Sequence, residues 1–170
     1  MKHIFSIAIF LILGFAGFCQ EVVDLGLSVK WATCNVGANK PEKYGKYYTI
    51  KKTQKLSNSK WRVPTIEEID ELVRNCDYKW TRQNGVNGGL FTSKKNGNSI
   101  FFPAGGYRYG LVVYYEGSNG VFWSSSADPD GGGWVLHLFF SDSGVSVESS
   151  NDGKFSVRLV QDVKKKFYSK

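Results

Sequence analysis

The stretch PTIEEIDELVRNC, at positions 64–76, contains the clearest helix in this chain of 170 residues. Thr65 is a side-chain N-cap, and Glu68 follows it at the spacing of a capping box. The apolar side chains of the stretch recur at the helical period, and they are Ile66, Ile69, Leu72, Val73 and Cys76. The sequence therefore predicts an amphipathic helix over residues 65–76. Its acidic side chains complement the helix dipole, so we interpret the helix as scaffold.

Strand signals lie on both sides of this helix. Residues 22–33 contain short alternating apolar stretches, which predict one or two opening strands. Asn96 and Gly97 separate the apolar runs 90–93 and 99–102, which is the strongest short signal for a hairpin. The sequence therefore predicts strands both before and after the helix.

The last part of the chain has the pattern of a meander. Residues 134–140 predict a strand that is covered on both faces, and residues 145–148 and 155–159 alternate in the manner of further strands. Several strands, one solid helix and no alternation of strand and helix favour an α+β fold with a mostly antiparallel, twisted sheet.

Three segments lack a strong pattern. Residues 41–47 predict a second short helix, which Gly45 weakens. Residues 51–60 are rich in Lys, Ser and Asn and predict a surface loop, while most of the stretch 103–133 predicts long irregular loops.

The first residues have the composition of a signal peptide. Lys2 provides a positive start, and residues 4–18 are apolar but short for a membrane span. We therefore expect a signal peptide over residues 1–19, an exported chain that is secreted, periplasmic or on the outer cell surface, and no transmembrane segment after cleavage. A lipid anchor at Cys19 is the alternative, which the bulky Phe18 before it disfavours.

One domain follows, over residues 20–160, with a basic tail over residues 161–170 that we expect to be disordered. The net charge is +7, but much of the excess lies in that tail. Because the chain is expected to be exported, we do not expect nucleic acid as a partner. In an oxidising compartment Cys34 and Cys76 would be the two mature cysteines, which predicts a disulfide between them.

Five short motifs follow one another along the chain. They are WATCNVGA at 31–38, WRVPT at 61–65, FPAGGYR at 102–108, FWSSS at 122–126 and FSVRLV at 155–160. Together they resemble the Fibrobacter succinogenes major paralogous domain, a family abundant in secreted proteins of Bacteroidetes-type bacteria. Some of them also resemble the wider group of C-type-lectin-like folds, which includes relatives of the formylglycine-generating enzyme. The resemblance spans roughly residues 22–160 and implies a C-type-lectin-like fold and an exported protein.

Catalytic and metal-binding patterns are weak. His137 lies in an apolar strand, where a hydrogen-bonded core or face histidine is the simpler interpretation than a catalytic base. The formylglycine-generating relatives use a late cysteine pair, and no cysteine follows Cys76. Asp128 and Asp130 stand beside a glycine run, but they match no calcium-binding spacing. We therefore expect no enzymatic activity, no cofactor and no metal.

Aromatic residues in the long irregular stretch are the remaining candidates for a binding site. Tyrosine rings on loops can stack on sugars or anchor a protein partner. The candidate ligand-binding residues are Tyr107, Tyr109, Tyr114, Tyr115, Asp128 and Asp130. We expect a non-enzymatic recognition domain for an extracellular or envelope ligand, either a glycan or a surface protein. The alternative is a structural or accessory module of the cell envelope without a dedicated ligand; the sequence specifies no oligomeric state.

Overall fold

Short strands make up most of the described chain, which comprises residues 21–129, 131–139, 144–150 and 152–163 of a computed structural model. The helices are α1 (Ile50–Thr53), which continues into a 3₁₀ turn (Gln54–Leu56), and α2 (Ile66–Asn75). The strands are β1 (Val22–Val23), β2 (Val29–Asn35), β3 (Cys76–Gln83), β4 (Val86–Ser93), β5 (Ser99–Pro103), β6 (Tyr107–Tyr109), β7 (Val112–Tyr114), β8 (Asn119–Ala127), β9 (Gly133–Phe139), β10 (Val145–Ser150) and β11 (Arg158–Asp162).

The strands form three small sheets and a hairpin, and all neighbours within them are antiparallel. The sheet orders are β1-β2-β11, β3-β4-β5 and β10-β9-β8, and β6 pairs with β7. The predicted α+β class with a mostly antiparallel sheet is therefore confirmed. Strands β1 and β2 also confirm the predicted opening strands.

Helix α2 begins as its sequence predicts. The Thr65 side chain accepts a hydrogen bond from the Glu68 backbone, and the Glu68 carboxylate accepts one from the Thr65 backbone at 2.9 Å. Ile69 and Leu72 are fully buried, so the apolar face of the helix packs into the core. The capping box and the amphipathic face are both confirmed.

The two predicted strand pairings are also present. Strands β4 and β5 pair through the turn that contains Gly97, whose φ of 76° is the left-handed conformation that glycine favours. Strands β9 and β10 pair from Gly133 opposite Ser150 to Leu138 opposite Val145. Strand β9 buries side chains from both of its faces, including Val135 and Leu136. Phe140 and the predicted turn at 142–143 lie outside the described residues.

The Phe102 ring is the centre of the larger core. Its centroid lies 5.8 Å from that of Trp31, 5.4 Å from that of Phe91 and 5.1 Å from that of Phe122, in edge-to-face arrangements. Such ring pairs stabilise a core in addition to the stabilisation that comes from the apolar area they bury. Because the four rings come from β2, β4, β5 and β8, this cluster joins all three sheets.

Arg158 in β11 is completely buried beside this cluster. Its guanidinium donates to the Asn35 side chain at 2.9 Å and to backbone carbonyls of Ala32, Thr33 and Phe101 at 3.0, 2.7 and 3.1 Å. Burial lowers the pKa of Arg158 to about 9, which leaves the group charged at neutral pH. Arg158 therefore ties β11 to β2 and β5 through charge-assisted hydrogen bonds.

A second, smaller core lies on the other side of the β10-β9-β8 sheet. The Trp123 and Phe155 rings lie 4.5 Å apart at its centre, and Val121, Val135 and Val157 surround them. This core supports the floor of the cavity described below.

The prediction of a helix over residues 41–47 is wrong, and the predicted loop over 51–60 is helical as far as Leu56 and irregular only over 57–60. In the first segment, the carbonyl oxygen of Tyr44 accepts a hydrogen bond from the Asn35 side chain at 3.0 Å, and Tyr48 pairs with Phe155 as an isolated bridge. These partners, together with the φ of 72° at Gly45, are incompatible with a helix over this segment. The helix forms later, as α1 and its 3₁₀ turn, where Thr53 is buried.

The domain extends past the end that the sequence indicated. Strand β11 runs to Asp162, whereas we expected a disordered tail from residue 161. Gln161 pairs with Lys30, and the Asp162 carboxylate accepts hydrogen bonds from Arg62. Residues 164–170, the predicted signal peptide at 1–19 and the candidate lipid anchor Cys19 lie outside the described residues.

The predicted disulfide between Cys34 and Cys76 is wrong, because Cys76 is a free thiol. Cys76 starts β3 opposite Ser93 and is buried in the larger core. Cys34 is buried in β2, where it lines a different cavity together with Trp61. An oxidising compartment permits a disulfide, but it does not bring two side chains together.

Candidate functional site

The segment 107–115 is a β-hairpin rather than the loop that the sequence indicated. Tyr107 pairs with Tyr114, and Tyr109 pairs with Val112. Gly110 begins the turn with a φ of 59°. Because side chains alternate along a strand, Tyr107, Tyr109 and Tyr114 share one face of the hairpin.

The hairpin is fixed to the rest of the domain at two points. The Gly106 backbone donates to the Asn119 carbonyl at 2.6 Å, and Arg108 and Lys154 exchange two backbone hydrogen bonds at 2.8 and 2.9 Å. Gly106 has a φ of 62°, and a Cβ atom there would collide with the Tyr114 carbonyl oxygen. Only glycine fits at this position without moving the hairpin.

Exposed apolar side chains are concentrated on the hairpin and its end. Of the seven large apolar side chains that are exposed in the described part of the chain, five lie here: Tyr109, Leu111, Val112, Tyr114 and Tyr115. Leu111, at the tip, is 87% exposed. Large apolar side chains grouped on one surface commonly mark an interaction site.

A cavity of about 450 Å³ lies between the hairpin and the β10-β9-β8 sheet. Val121, Val135 and Phe155 form its apolar floor. Three of the predicted residues, Tyr107, Tyr109 and Tyr114, line it. This volume is within the range of about 300–1,000 Å³ that ligand pockets occupy.

The tyrosines form a continuous aromatic wall. The Tyr107 and Tyr114 rings stack with centroids 5.7 Å apart and planes inclined by 23°. Phe155 meets Tyr107 edge-on at 6.1 Å. Tyr115 does not line the cavity, but its ring centroid lies 5.8 Å from that of Tyr107.

His137 and Glu148 form the polar wall on the sheet. The His137 Nε2 atom lies 3.0 Å from the Asn119 amide nitrogen, and Nδ1 lies 3.3 Å from a Glu148 carboxylate oxygen. This arrangement fits a ring that donates from Nδ1 and accepts at Nε2. His137 is thus a hydrogen-bonded face histidine, as the sequence indicated.

Glu148 carries a negative charge beside the cavity. Hydrogen bonds from the Ser146 hydroxyl and from His137 lower the pKa of the Glu148 carboxyl. Asp152 supplies a second acidic residue to the cavity lining, and Ser150, on the same face of β10 as Glu148, supplies a hydroxyl group. The site therefore combines ring faces with acidic and hydroxyl groups.

The predicted acidic residues lie elsewhere. Asp128 is buried in a turn between β8 and β9, where its backbone bonds to Gly131 and Gly132, and it does not line the cavity. Asp130 lies outside the described residues. Within the described ranges, no group of three or more His, Cys, Asp or Glu side chains could hold a metal ion.

The prediction did not include His137, Glu148 or Asp152 in the site. His137 and Glu148 are 11 residues apart and meet only because β9 and β10 pair in a particular register. The one available signal was the isolated histidine in an apolar strand, which identifies no partner.

Comparison with protein-family models, with curated proteins and with solved structures finds no significant match to this chain. In the described residues, no helix is both long and apolar enough to span a membrane.

Proposed function

We propose that this chain is an exported, non-enzymatic recognition domain with a C-type-lectin-like fold. It binds a glycan or a surface protein through the β6–β7 hairpin and the cavity beside it. The observation that carries the proposal is the concentration of exposed apolar side chains on this hairpin, directly beside a cavity lined by Tyr107, Tyr109 and Tyr114.

A partner that covers exposed apolar surface lowers the free energy of the system, and this favours binding at the hairpin. Burial contributes about 25 cal/mol per Å² of apolar area. Leu111, Val112 and Tyr109 are held outward on a hairpin that is anchored by backbone hydrogen bonds. A rigid support reduces the conformational entropy that binding would otherwise cost.

The proposed fold rests on the five motifs, and their packing supports it. Arg158 of the last motif bonds to Ala32, Thr33 and Asn35 of the first. Its guanidinium also lies over Phe102 of the third motif. The motif residues thus meet as one structural unit, as expected if they specify a shared architecture rather than a ligand.

The non-enzymatic assignment is supported by the surroundings of His137. Asn119 and Glu148 engage its two ring nitrogens, so the ring is oriented by protein groups and not by a nucleophilic hydroxyl. A general base would need a nucleophile within hydrogen-bond reach.

A glycan array combined with a pull-down on cell-wall polysaccharide and envelope protein tests the proposal. A ligand should bind wild-type protein and be lost when Tyr109 and Tyr114 are both replaced by Ala, with the folded structure retained by circular dichroism. Chelation with EDTA should leave binding unchanged. If no ligand is captured, the alternative of a structural envelope module is favoured instead. If the double variant binds as well as wild type, the binding site lies outside the hairpin.

A further inference from the structure

The cavity has a charge opposite to that of the whole chain. The chain carries a net charge of +7. The described residues that line the cavity include two carboxylates, Glu148 and Asp152, but neither lysine nor arginine. At neutral pH this lining attracts cations and repels anions.

Arg108 in the hairpin and its bridge partner Lys154 are directed away from the cavity. Arg108 and Lys154 form a cross-strand pair, so their side chains share one face. Tyr107 and Tyr109 flank Arg108 in β6 and line the cavity. Because side chains alternate, Arg108 lies on the face opposite to these tyrosines. The acidic lining is therefore not neutralised from this side.

The aromatic wall favours the same class of ligand. The face of a tyrosine ring attracts a cation within about 6 Å of its centroid. The stacked rings of Tyr107 and Tyr114 also give a flat apolar surface, against which the body of a sugar ring can pack. The hydroxyl of Ser150, which shares a face of β10 with Glu148, provides a partner for a sugar hydroxyl group.

We propose that the cavity binds a protonated amino sugar, whose ammonium group is held by Glu148 and Asp152 and whose ring packs on the tyrosine wall. The inference rests on the proposed function, because it assigns a ligand class to the same recognition site. A sugar is favoured over a simple amine because the lining pairs ring faces with several hydroxyl and carboxylate groups.

Three tetrasaccharides test this assignment by isothermal titration calorimetry at neutral pH and low salt. They are built from glucosamine, from N-acetylglucosamine and from glucuronic acid, so each ring carries a free amine, a neutral amide or a carboxylate. The glucosamine tetramer should bind at least about tenfold tighter than the acetylated one, a difference of about 1.4 kcal/mol. The glucuronate tetramer should bind most weakly.

Charge-neutralising variants identify the carboxylates that cause the preference for the free amine. In a variant that combines Glu148→Gln with Asp152→Asn, the preference for the free amine should disappear. Asp152→Asn alone should reduce it, which keeps the test valid if the double variant fails to fold. Glu116→Gln is the matched control, because Glu116 is an exposed carboxylate near the hairpin that does not line the cavity. It should leave the preference unchanged.

Several results would overturn the amine assignment. They are equal or tighter binding of the acetylated tetramer, a preference that survives in the neutralised variants, and the absence of binding by all three tetramers. None of these results removes the proposed function by itself. A different ligand that is captured on the array and lost in the Tyr109→Ala, Tyr114→Ala double variant would preserve recognition, whereas failure to capture any ligand would end both.

Discussion

The guanidinium carbon of buried Arg158 lies 4.6 Å from the centroid of the Phe102 ring. The ring face and four hydrogen bonds to oxygen atoms surround this cation without any carboxylate among its hydrogen-bond partners. A charge buried in this way is favourable only when all of these partners are in place.

Replacing Arg158 by Met should destabilise the protein by at least about 3 kcal/mol, because several buried oxygen atoms lose their donor. Urea denaturation of wild type and variant measures this loss. Arg82→Met is the matched control, since Arg82 donates to the Gly85 carbonyl at an exposed site, and it should cost less than about 0.5 kcal/mol. Similar stability for the two variants would show that the Arg158 hydrogen bonds contribute little.

Gly106→Ala should destabilise the protein more than Gly110→Ala. Both glycines have a positive φ, so each alanine is strained by about 1–2 kcal/mol. At Gly110 a Cβ atom meets no other atom within 4 Å, whereas at Gly106 it meets the Tyr114 carbonyl oxygen. Thermal denaturation should therefore separate the two variants. Equal melting temperatures would show that the hairpin shifts freely on the domain.

Tyr109→Ala should weaken ligand binding by about 1–3 kcal/mol, the range expected for an aromatic anchor. Tyr115→Ala should weaken it much less. The two side chains are equally exposed, at 61% and 60%, but only Tyr109 lines the cavity. Titration of the ligand captured on the array compares them directly. Equal losses would place the contact on the outer surface of the hairpin instead of in the cavity.

Alkaline pH should destabilise the fold through Cys76. Burial raises the pKa of its thiol from 9.0 to about 11. The thiol therefore loses its proton at a lower pH in the unfolded chain than in the folded chain. Its contribution to the stability of the fold is complete below pH 9 and is lost as the pH rises toward about 11. Urea midpoints measured across this interval should fall less steeply in Cys76→Ala. An unchanged slope would contradict the assignment to this thiol.

The two carboxylates that contact Arg62 should differ in their contributions. Glu68 receives two guanidinium hydrogen bonds, at 2.8 and 2.5 Å, and its side chain is only 13% exposed. Glu68→Gln should therefore cost about 1–3 kcal/mol. Asp162 is 76% exposed, so Asp162→Asn should cost less than about 1 kcal/mol. Chemical denaturation gives both values, and the reverse order would contradict this ranking.

The sequence predicts best the features that depend on near neighbours in the chain. Thr65 and Glu68 are three residues apart, and Asn96 and Gly97 are adjacent, so their local chemistry was sufficient to predict a helix start and a hairpin. The segment at Tyr44 was predicted wrongly because its contacts are with other parts of the chain. The Asn35 side chain donates to the Tyr44 carbonyl, and Tyr48 pairs with the distant Phe155.

The site could be predicted only in part for the same reason. Three of the candidate tyrosines lie together because they belong to one short hairpin, where the sequence indicated a loop. The polar wall depends on how β9 pairs with β10, and the second carboxylate depends on the position of Asp152 at the cavity. No local sequence pattern specifies either of them. Cys34 and Cys76 were paired from the expected compartment and from their being the two cysteines of the expected mature chain, without any information on distance.

The position of Arg158 also constrains the order of events in folding. Its hydrogen-bond acceptors lie as far as 126 residues earlier in the chain, so they remain without this donor until nearly the whole domain has been synthesised. The last strand is therefore the closing step, and loop-closure entropy over such a distance makes that step slow. A nascent chain that ends before residue 158 would lack this donor for the carbonyl oxygens of β2 and β5, and the larger core would stay open.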